Sequence, residues 1–589
     1  MDPQGPVGGP RPAPPPPPSA LRAEPPRTAS PRSARRGIRV LAVVLASLLV
    51  VAGTGAAAAF YLARGASEEL IQMIPASSDV VVTAYLDPSA GQKLNLLSLM
   101  HRFPALADDR QLRGRIDDLL DQALEDAGLS HQDVRSWLGS EVAVAIELQP
   151  GLGDPTTAIL ITSTDDDAAE TAIEQGLRTS LGAGGSRGYR GVSLHTYGAG
   201  SSAVTFGIVD HVVVLGSRAD GVTRVIDVAK GTGRAIGDDP RFSRTISTLP
   251  RDRLGFAYVN AGGIVRASLE ANGLGAAIGA GTGLDTLRAL EGIGVSLSAH
   301  PDGLALDYTI GVDPSKLQPE ARAQLEQPSG QNGVVRLVPG DALAVMTQRG
   351  LAAGLRAAVD QALATPEGER VRQRLGVDQM LAALTGDVAV EVAPEAPATP
   401  IGGAVVLGVS DAKAVQRTLD GLARLAIRAQ RRAEGAVPTP FGDLTGTVVL
   451  AKSFTPEAPT VRLRTTTYRG VRIRYVEDPS LSAMSGVLPA YAVVDGAAII
   501  GSTPMDVRKV IDVRDGIRAS IVDSPSYLDA LAHVPGDGTL YVDVAGVVSG
   551  LGPQLPPDVR WNLEPLRAVV LGSTSSPSRI TGRLFVRIG

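Results

Sequence analysis

The sequence contains no cysteine, only six histidines, and aromatic residues at just 4% of 589. Without cysteine there are no disulfides, thiol nucleophiles, cysteine-ligated zinc or lipid-modified N-terminal cysteine, so stability has to come from packing. Scarce aromatics argue against ring platforms for sugars or single-stranded nucleic acid, and no nucleic-acid partner is expected. Lysine is also short: Lys93, Lys230, Lys316, Lys413, Lys452 and Lys509 are the only six among 56 basic residues. With abundant Ala, Gly and Pro this reads as coding bias, so arginine by itself is not a binding signal.

The histidines, His101, His131, His195, His211, His300 and His533, include no i, i+4 pair and no His-Glu-x-x-His, so no metal site is expected. Ser410 and Lys413 have the Ser-x-x-Lys spacing of penicillin-interacting enzymes. Neither Lys-Thr-Gly nor Ser-Asp-Asn accompanies it, and a helix N-cap accounts for it better. Asp165, Asp166 and Asp167 lack the spread of oxygens and the distal Glu of a calcium loop and read as an acidic helix start, with Thr164 as N-cap. The glycines from Gly273 form no Gly-x-Gly-x-x-Gly and read as a mobile loop or small-residue packing. No catalytic residue, cofactor site or metal site is assigned, and the chain is expected not to be an enzyme.

What is present is ordinary globular material, 44% apolar and 20% charged, in a chain too long for one core. Val40 to Leu62 carries no ionisable residue, which predicts a transmembrane helix over 38–64. Arg32, Arg35, Arg36 and Arg39 precede it and Glu68 and Glu69 follow, placing the N-terminus in the cytoplasm and the bulk outside, at the plasma membrane. A cleaved signal peptide, with Ala56–Ala59 as the processing site, is the competing reading. Residues 1–37, with the proline run Pro14–Pro18, are expected to be disordered.

The rest says nearly the same thing twice. YRGVSLHTYG from Tyr189 returns as YRGVRIRYVE from Tyr468, and VVDGAAIIGS answers IVDHVVVLGS. Asp210 and Asp495, Asp227 and Asp512, and Pro240 and Pro525 each stand 285 residues apart. A constant offset across separate motifs marks a tandem duplication. LGSEVAVAIEL from Leu138 aligns with LTGDVAVEVAP from Leu384, and the helix expected from Thr164 with that from Ser410. Alternating apolar residues predict strands at Val80–Leu86, Glu141, Thr157, Val192, Val204 and Val212, and paired strands around Pro301-Asp302-Gly303. Helical spacing covers Leu94–Phe103, Leu112–Leu129 and Asp220–Lys230. The fold class expected is α+β: two homologous exported domains, 66–315 and 330–589, with mostly antiparallel sheets. Tyr189 with Arg190, Tyr468 with Arg469, and Asp210 and Asp495 recur at turns, where a structural role is the simplest account.

A proline-rich tail, one apolar segment, then IPASSDVVVTAYLDPS and LLSLMHRFPAL resemble an uncharacterised family of anchored, exported proteins of high-GC Gram-positive bacteria, known only as a domain of unknown function. The resemblance implies location and fold and brings no catalytic residues. The function expected is a non-enzymatic envelope module that binds a protein partner or plays a structural part. Handling of a lipid or other hydrophobic ligand in an apolar cavity is the alternative, and a divergent envelope hydrolase a further one.

Overall fold

A computed structural model describes residues 68–104, 131–149, 154–265, 288–326, 332–394, 402–435, 461–478, 487–536, 539–551 and 555–589. The tail of residues 1–37, Val40–Leu62, the helix expected over Leu112–Leu129 and the glycine-rich segment from Gly273 lie outside them. The first ten strands are β1 (Val80–Tyr85), β2 (Leu138–Glu147), β3 (Thr156–Ser163), β4 (Gly184–Tyr189), β5 (Val192–Tyr197), β6 (Val204–Val209), β7 (Val212–Gly216), β8 (Gly255–Val259), β9 (Leu290–His300) and β10 (Gly303–Val312). The next ten are β11 (Ala344–Gln348), β12 (Leu384–Ala393), β13 (Gly402–Val409), β14 (Arg462–Tyr468), β15 (Val471–Glu477), β16 (Ala490–Val494), β17 (Ala497–Gly501), β18 (Leu540–Asp543), β19 (Leu566–Ser576) and β20 (Arg579–Ile588).

The first ten pair antiparallel in the order β4-β5-β6-β7-β3-β2-β1-β8-β9-β10. The second ten repeat it as β14-β15-β16-β17-β13-β12-β11-β18-β19-β20. Equivalent helices cover equivalent strands. Ala219–Ala229 buries Val222, Val225 and Ile226, and Pro504–Arg514 buries Val507, Val510 and Ile511. Both triplets have the i, i+3, i+4 spacing that puts three side chains on one helical face.

Two features of the expected fold class are corrected. The halves do not form separate sheets: β10 pairs with β20 from Gly303↔Arg587 to Gly311↔Arg579, which joins all the described strands into one 20-stranded antiparallel sheet, with 14 α-helices among the described residues. The physical reason is edge protection. Each half ends in a hairpin whose last strand has one open edge, and the two edges satisfy each other. The expected transmembrane helix has no counterpart among the described residues: no described helix is long and apolar enough to cross a membrane, and Val40–Leu62 lies outside them. The longest, Ala412–Gly435, has the length but carries Lys413, Arg417, Asp420, Arg424 and Arg428 along it.

Candidate functional site

The recurring Tyr-Arg-Gly triplets form two identical latches. Tyr189 donates its hydroxyl hydrogen to Asp227 Oδ1 at 2.9 Å, and Tyr468 to Asp512 Oδ1 at 2.9 Å. Arg190 and Arg469 take left-handed backbone conformations, φ 47° and 48°, in two-residue hairpin turns completed by Gly191 and Gly470. Such conformations cost a non-glycine residue about 1 kcal/mol or more, and ion pairs to the same aspartates, at 2.5 Å and 2.9 Å, offset it. Both arginines and both tyrosines are thus occupied in tying a hairpin to a helix. Tyr468→Phe is expected to lower stability by about 1 kcal/mol in urea titration, and Tyr189→Phe by a similar amount. A change below about 0.3 kcal/mol in both would show that the latches contribute nothing.

The Ser-x-x-Lys motif is a helix start. Ser410 Oγ donates to the Ala383 carbonyl at 3.0 Å, while Asp411 Oδ1 accepts the backbone N–H groups of Lys413 and Ala414 at 3.0 Å each. In the first half Asp165, and not the expected Thr164, is the N-cap, accepting from the Ala168 N–H at 3.0 Å. Asp166 meets His211 Nδ1 at 3.0 Å. Asp210, at φ 50°, meets Lys230 at 2.9 Å, and Asp495 precedes Gly496 at the equivalent turn.

His195 does not stand alone. It lies on β5, stacked on Phe206 at 5.0 Å, with Glu170 Oε1 at 3.0 Å from Nε2 and Glu174 Oε1 at 2.8 Å from Nδ1. Glu170 and Glu174 share one face of the helix Asp166–Leu181 through their i, i+4 spacing. The same place in the second half holds Gln416, Asp420, Arg474 and Tyr491. There Asp420 Oδ1 accepts from Gln416 at 2.7 Å, from Tyr491 at 2.8 Å and from Arg474.

Two buried carboxyl groups join the residues that the sequence motifs single out. Glu141 on β2 is wholly buried, and its Oε2 accepts the backbone N–H groups of Glu69 at 3.1 Å and Leu70 at 3.3 Å. Burial pushes it up to about 8 in spite of those two donors. Its partner by alignment, Asp387, accepts from the Gly333 N–H at 2.8 Å, so each half uses an acid on its second strand to hold the segment entering its first. Glu391 on β12 is 2% exposed, and neither carboxyl oxygen has a hydrogen-bond partner among the described residues. Burial, then repulsion from Asp506, push it up to about 8, while Lys509 pulls the other way. The only hint of these groups was an acid interrupting an apolar strand pattern.

A cleft of about 360 Å³ opens at the seam between the halves. Arg244, Glu291, Thr309 and Asp313 line it from the first half, Ser578 and Arg579 from the β19–β20 turn. Thr309 is 1% exposed and its hydroxyl has no hydrogen-bond partner among the described residues. Arg244 reaches Glu291 at 3.6 Å and Lys316 reaches Asp313 at 3.1 Å, whereas Arg579 has no ion pair among the described residues.

Comparison with known proteins adds a family and little chemistry. No curated protein matches the chain. Among solved structures, crystal form I of TP0453 is 13% identical over 42% of this chain and 80% of that chain, with a TM-score of 0.23. Crystal form III of TP0453 is 10% identical over 43% of this chain and 83% of that chain, also with a TM-score of 0.23. A family described as a protein of unknown function (DUF3352) matches residues 43–433, and on that match the chain belongs to it.

Proposed function

We propose that the protein is a non-enzymatic binding module in which a duplicated scaffold builds one ligand site at the seam of its halves. The observation that carries this is the cleft lined from both halves, where, among the described residues, the buried hydroxyl of Thr309 has no hydrogen-bond partner and the guanidinium of Arg579 no ion pair. A volume of about 360 Å³ suits a small molecule. Its charged lining favours a polar ligand, with a carboxylate or phosphate on Arg579, over a hydrophobic one. The latches and caps support the non-enzymatic part, because they hold Tyr189, Tyr468 and Ser410 in structural contacts.

Thermal shift measured with panels of small carboxylates and phosphates tests the binding. The wild type should be stabilised by at least one class, and Arg579→Ala should lose that response by tenfold or more in concentration. Equal responses in both proteins, or none in the wild type, would remove the seam as the site. Ser410→Ala, Lys413→Ala and His211→Ala should each change stability by no more than about 0.5–1 kcal/mol and leave cellular function intact. Loss of function in Ser410→Ala with an unchanged melting curve would overturn the non-enzymatic reading.

Export from the cytoplasm belongs to the same proposal. It rests on the arginine-flanked apolar run Val40–Leu62, which comes before the described strands and helices in sequence as an export signal does. Cell fractionation with protease protection tests it, and a fully protected chain in lysate-free cells would refute it.

A further inference from the structure

We propose that Glu170, Glu174 and His195 bind one divalent transition-metal cation, of the zinc type, between the helix Asp166–Leu181 and β5. The three side chains offer two carboxylate oxygens and an imidazole nitrogen, all within 4.8 Å of one another. That is a donor set suited to zinc and its neighbours. No metal spacing shows in the sequence because the ligands come from two elements more than twenty residues apart.

The geometry around Nε2 asks for a cation. This nitrogen is buried and has no hydrogen-bond partner among the described residues, yet Glu170 Oε1 is 3.0 Å away. The oxygen therefore stands off the line along which an imidazole N–H donates. A metal on the nitrogen lone pair with bonds of ~2.1 Å to both atoms would subtend an angle of about 90°, and opening it to the tetrahedral angle that zinc prefers takes a movement of only about 0.4 Å. Glu174 turns Oε1 towards the ring, and its Oε2 takes a 3.5 Å contact from the exposed Arg178. Side-chain exposures of 45% at Glu170, 28% at Glu174 and 15% at His195 leave a path for the ion and for water ligands.

The second half supplies an independent argument. Its equivalent cluster closes on itself: Asp420 is negative, Arg474 positive and Gln416 neutral, a sum of zero, and all three donors converge on one carboxylate oxygen. In the first half two carboxylates, Glu170 and Glu174, face an imidazole, with no arginine in the cluster. Phe206 stands where Tyr491 donates, 285 residues on, and has no hydroxyl to offer. A divalent ion would stand in for the missing arginine and hydroxyl donors. The site lies on the helix-covered sheet of the first half and shares no residue with the seam cleft, so the two proposals stand or fall separately.

The test uses the full chain, treated with EDTA and dialysed, then titrated with zinc chloride by calorimetry and with cobalt(II) chloride by visible absorption. One zinc per chain is expected, with a raised melting temperature and a cobalt d–d band. Glu174→Gln should weaken binding by roughly 10–100-fold. The double variant Glu170→Gln/His195→Arg copies the residues of the second half, so it keeps a neutral, folded cluster while removing the ligands. It should fold normally and lose the one-to-one binding altogether. Binding that persists unchanged in the double variant would mean an adventitious ion only, at another histidine. No heat and no cobalt band in the wild type would mean that the three side chains form an ion-paired cluster and nothing more. Either result overturns the proposal.

Discussion

Replacing Phe585 with alanine is expected to destabilise the protein by about 3–5 kcal/mol and to loosen the coupling between its halves. Phe585 is completely buried on β20, where it sits opposite Ala305 of β10 on one side and Val570 of β19 on the other. His533 of the second half stacks on its ring at 4.1 Å with 3° between planes, and His300 of the first half meets it edge-on at 5.7 Å. One ring therefore fills space in both halves, and truncating it leaves a cavity across the only strand pairing that joins the two sets of described strands. Backbone hydrogen bonds between β10 and β20 would remain, but without the packing that excludes water from them. Calorimetry should show one main transition in the wild type and a lowered, broadened or split one in Phe585→Ala. Phe242→Ala is the control. Phe242 packs edge-on to Tyr258 within the first-half core, so its loss should cost a similar amount without splitting the transition. If the two variants have the same profile, the seam does not couple the halves.

The parts of this architecture that repeat locally were legible in the sequence. The strand after Pro75, the hairpin at Pro301-Asp302 and the helix closed by Gly231 all appear where alternation, turn residues and 3.6-residue spacing put them. The offset of 285 also carried real contacts, since Tyr189 and Tyr468 bond aspartates that are themselves 285 apart. The β10–β20 pairing was not legible, because strands about 280 residues apart leave no mark in local periodicity and any open antiparallel edge could have accepted another. Comparing the two copies position by position made His195 look expendable, since Arg474 takes its place. That comparison treated each site as a single residue. In three dimensions the unit is a cluster of four, and Glu170, Glu174 and Phe206 change together with His195. The helix start shows a finer limit: Thr164 and Asp165 are both good cap residues, and only the backbone conformation selects Asp165. Glu141 and Glu391 were missed because an acid in a strand is ordinarily placed on the solvent face, and both face inward.

Glu391 leads to the prediction with the clearest pH signature: Glu391→Gln should become progressively more stable than the wild type as pH rises from about 4.5 to about 8. In the folded chain the carboxyl is buried beside Asp506, which is itself fixed by Ser502 at 2.6 Å, the Thr503 N–H at 3.0 Å and Lys509 at 3.2 Å. Losing its proton there would place a second negative charge near Asp506, where neither carboxyl oxygen of Glu391 has a hydrogen-bond partner among the described residues, and the ammonium of Lys509 is already shared with Asp506. The folded state therefore keeps the proton up to about 8, whereas the unfolded chain releases it near the ordinary value of 4.5. Between those limits the unfolded state binds fewer protons, so stability falls as pH rises; below the window the contribution is fully present, and above it the loss is complete. The amide cannot ionise and removes this dependence, so its advantage over the wild type should grow by something on the order of 3–5 kcal/mol across the window. Glu141, held up at about 8 by its own burial, keeps a second slope of the same sign in both proteins, so the variant should flatten the curve without levelling it. Urea unfolding at pH 5, 6.5 and 8.5 reads the difference directly. A constant offset between variant and wild type at all three values would mean that Glu391 ionises in the fold as it does in water, and that neither its burial nor the charge of Asp506 carries a penalty.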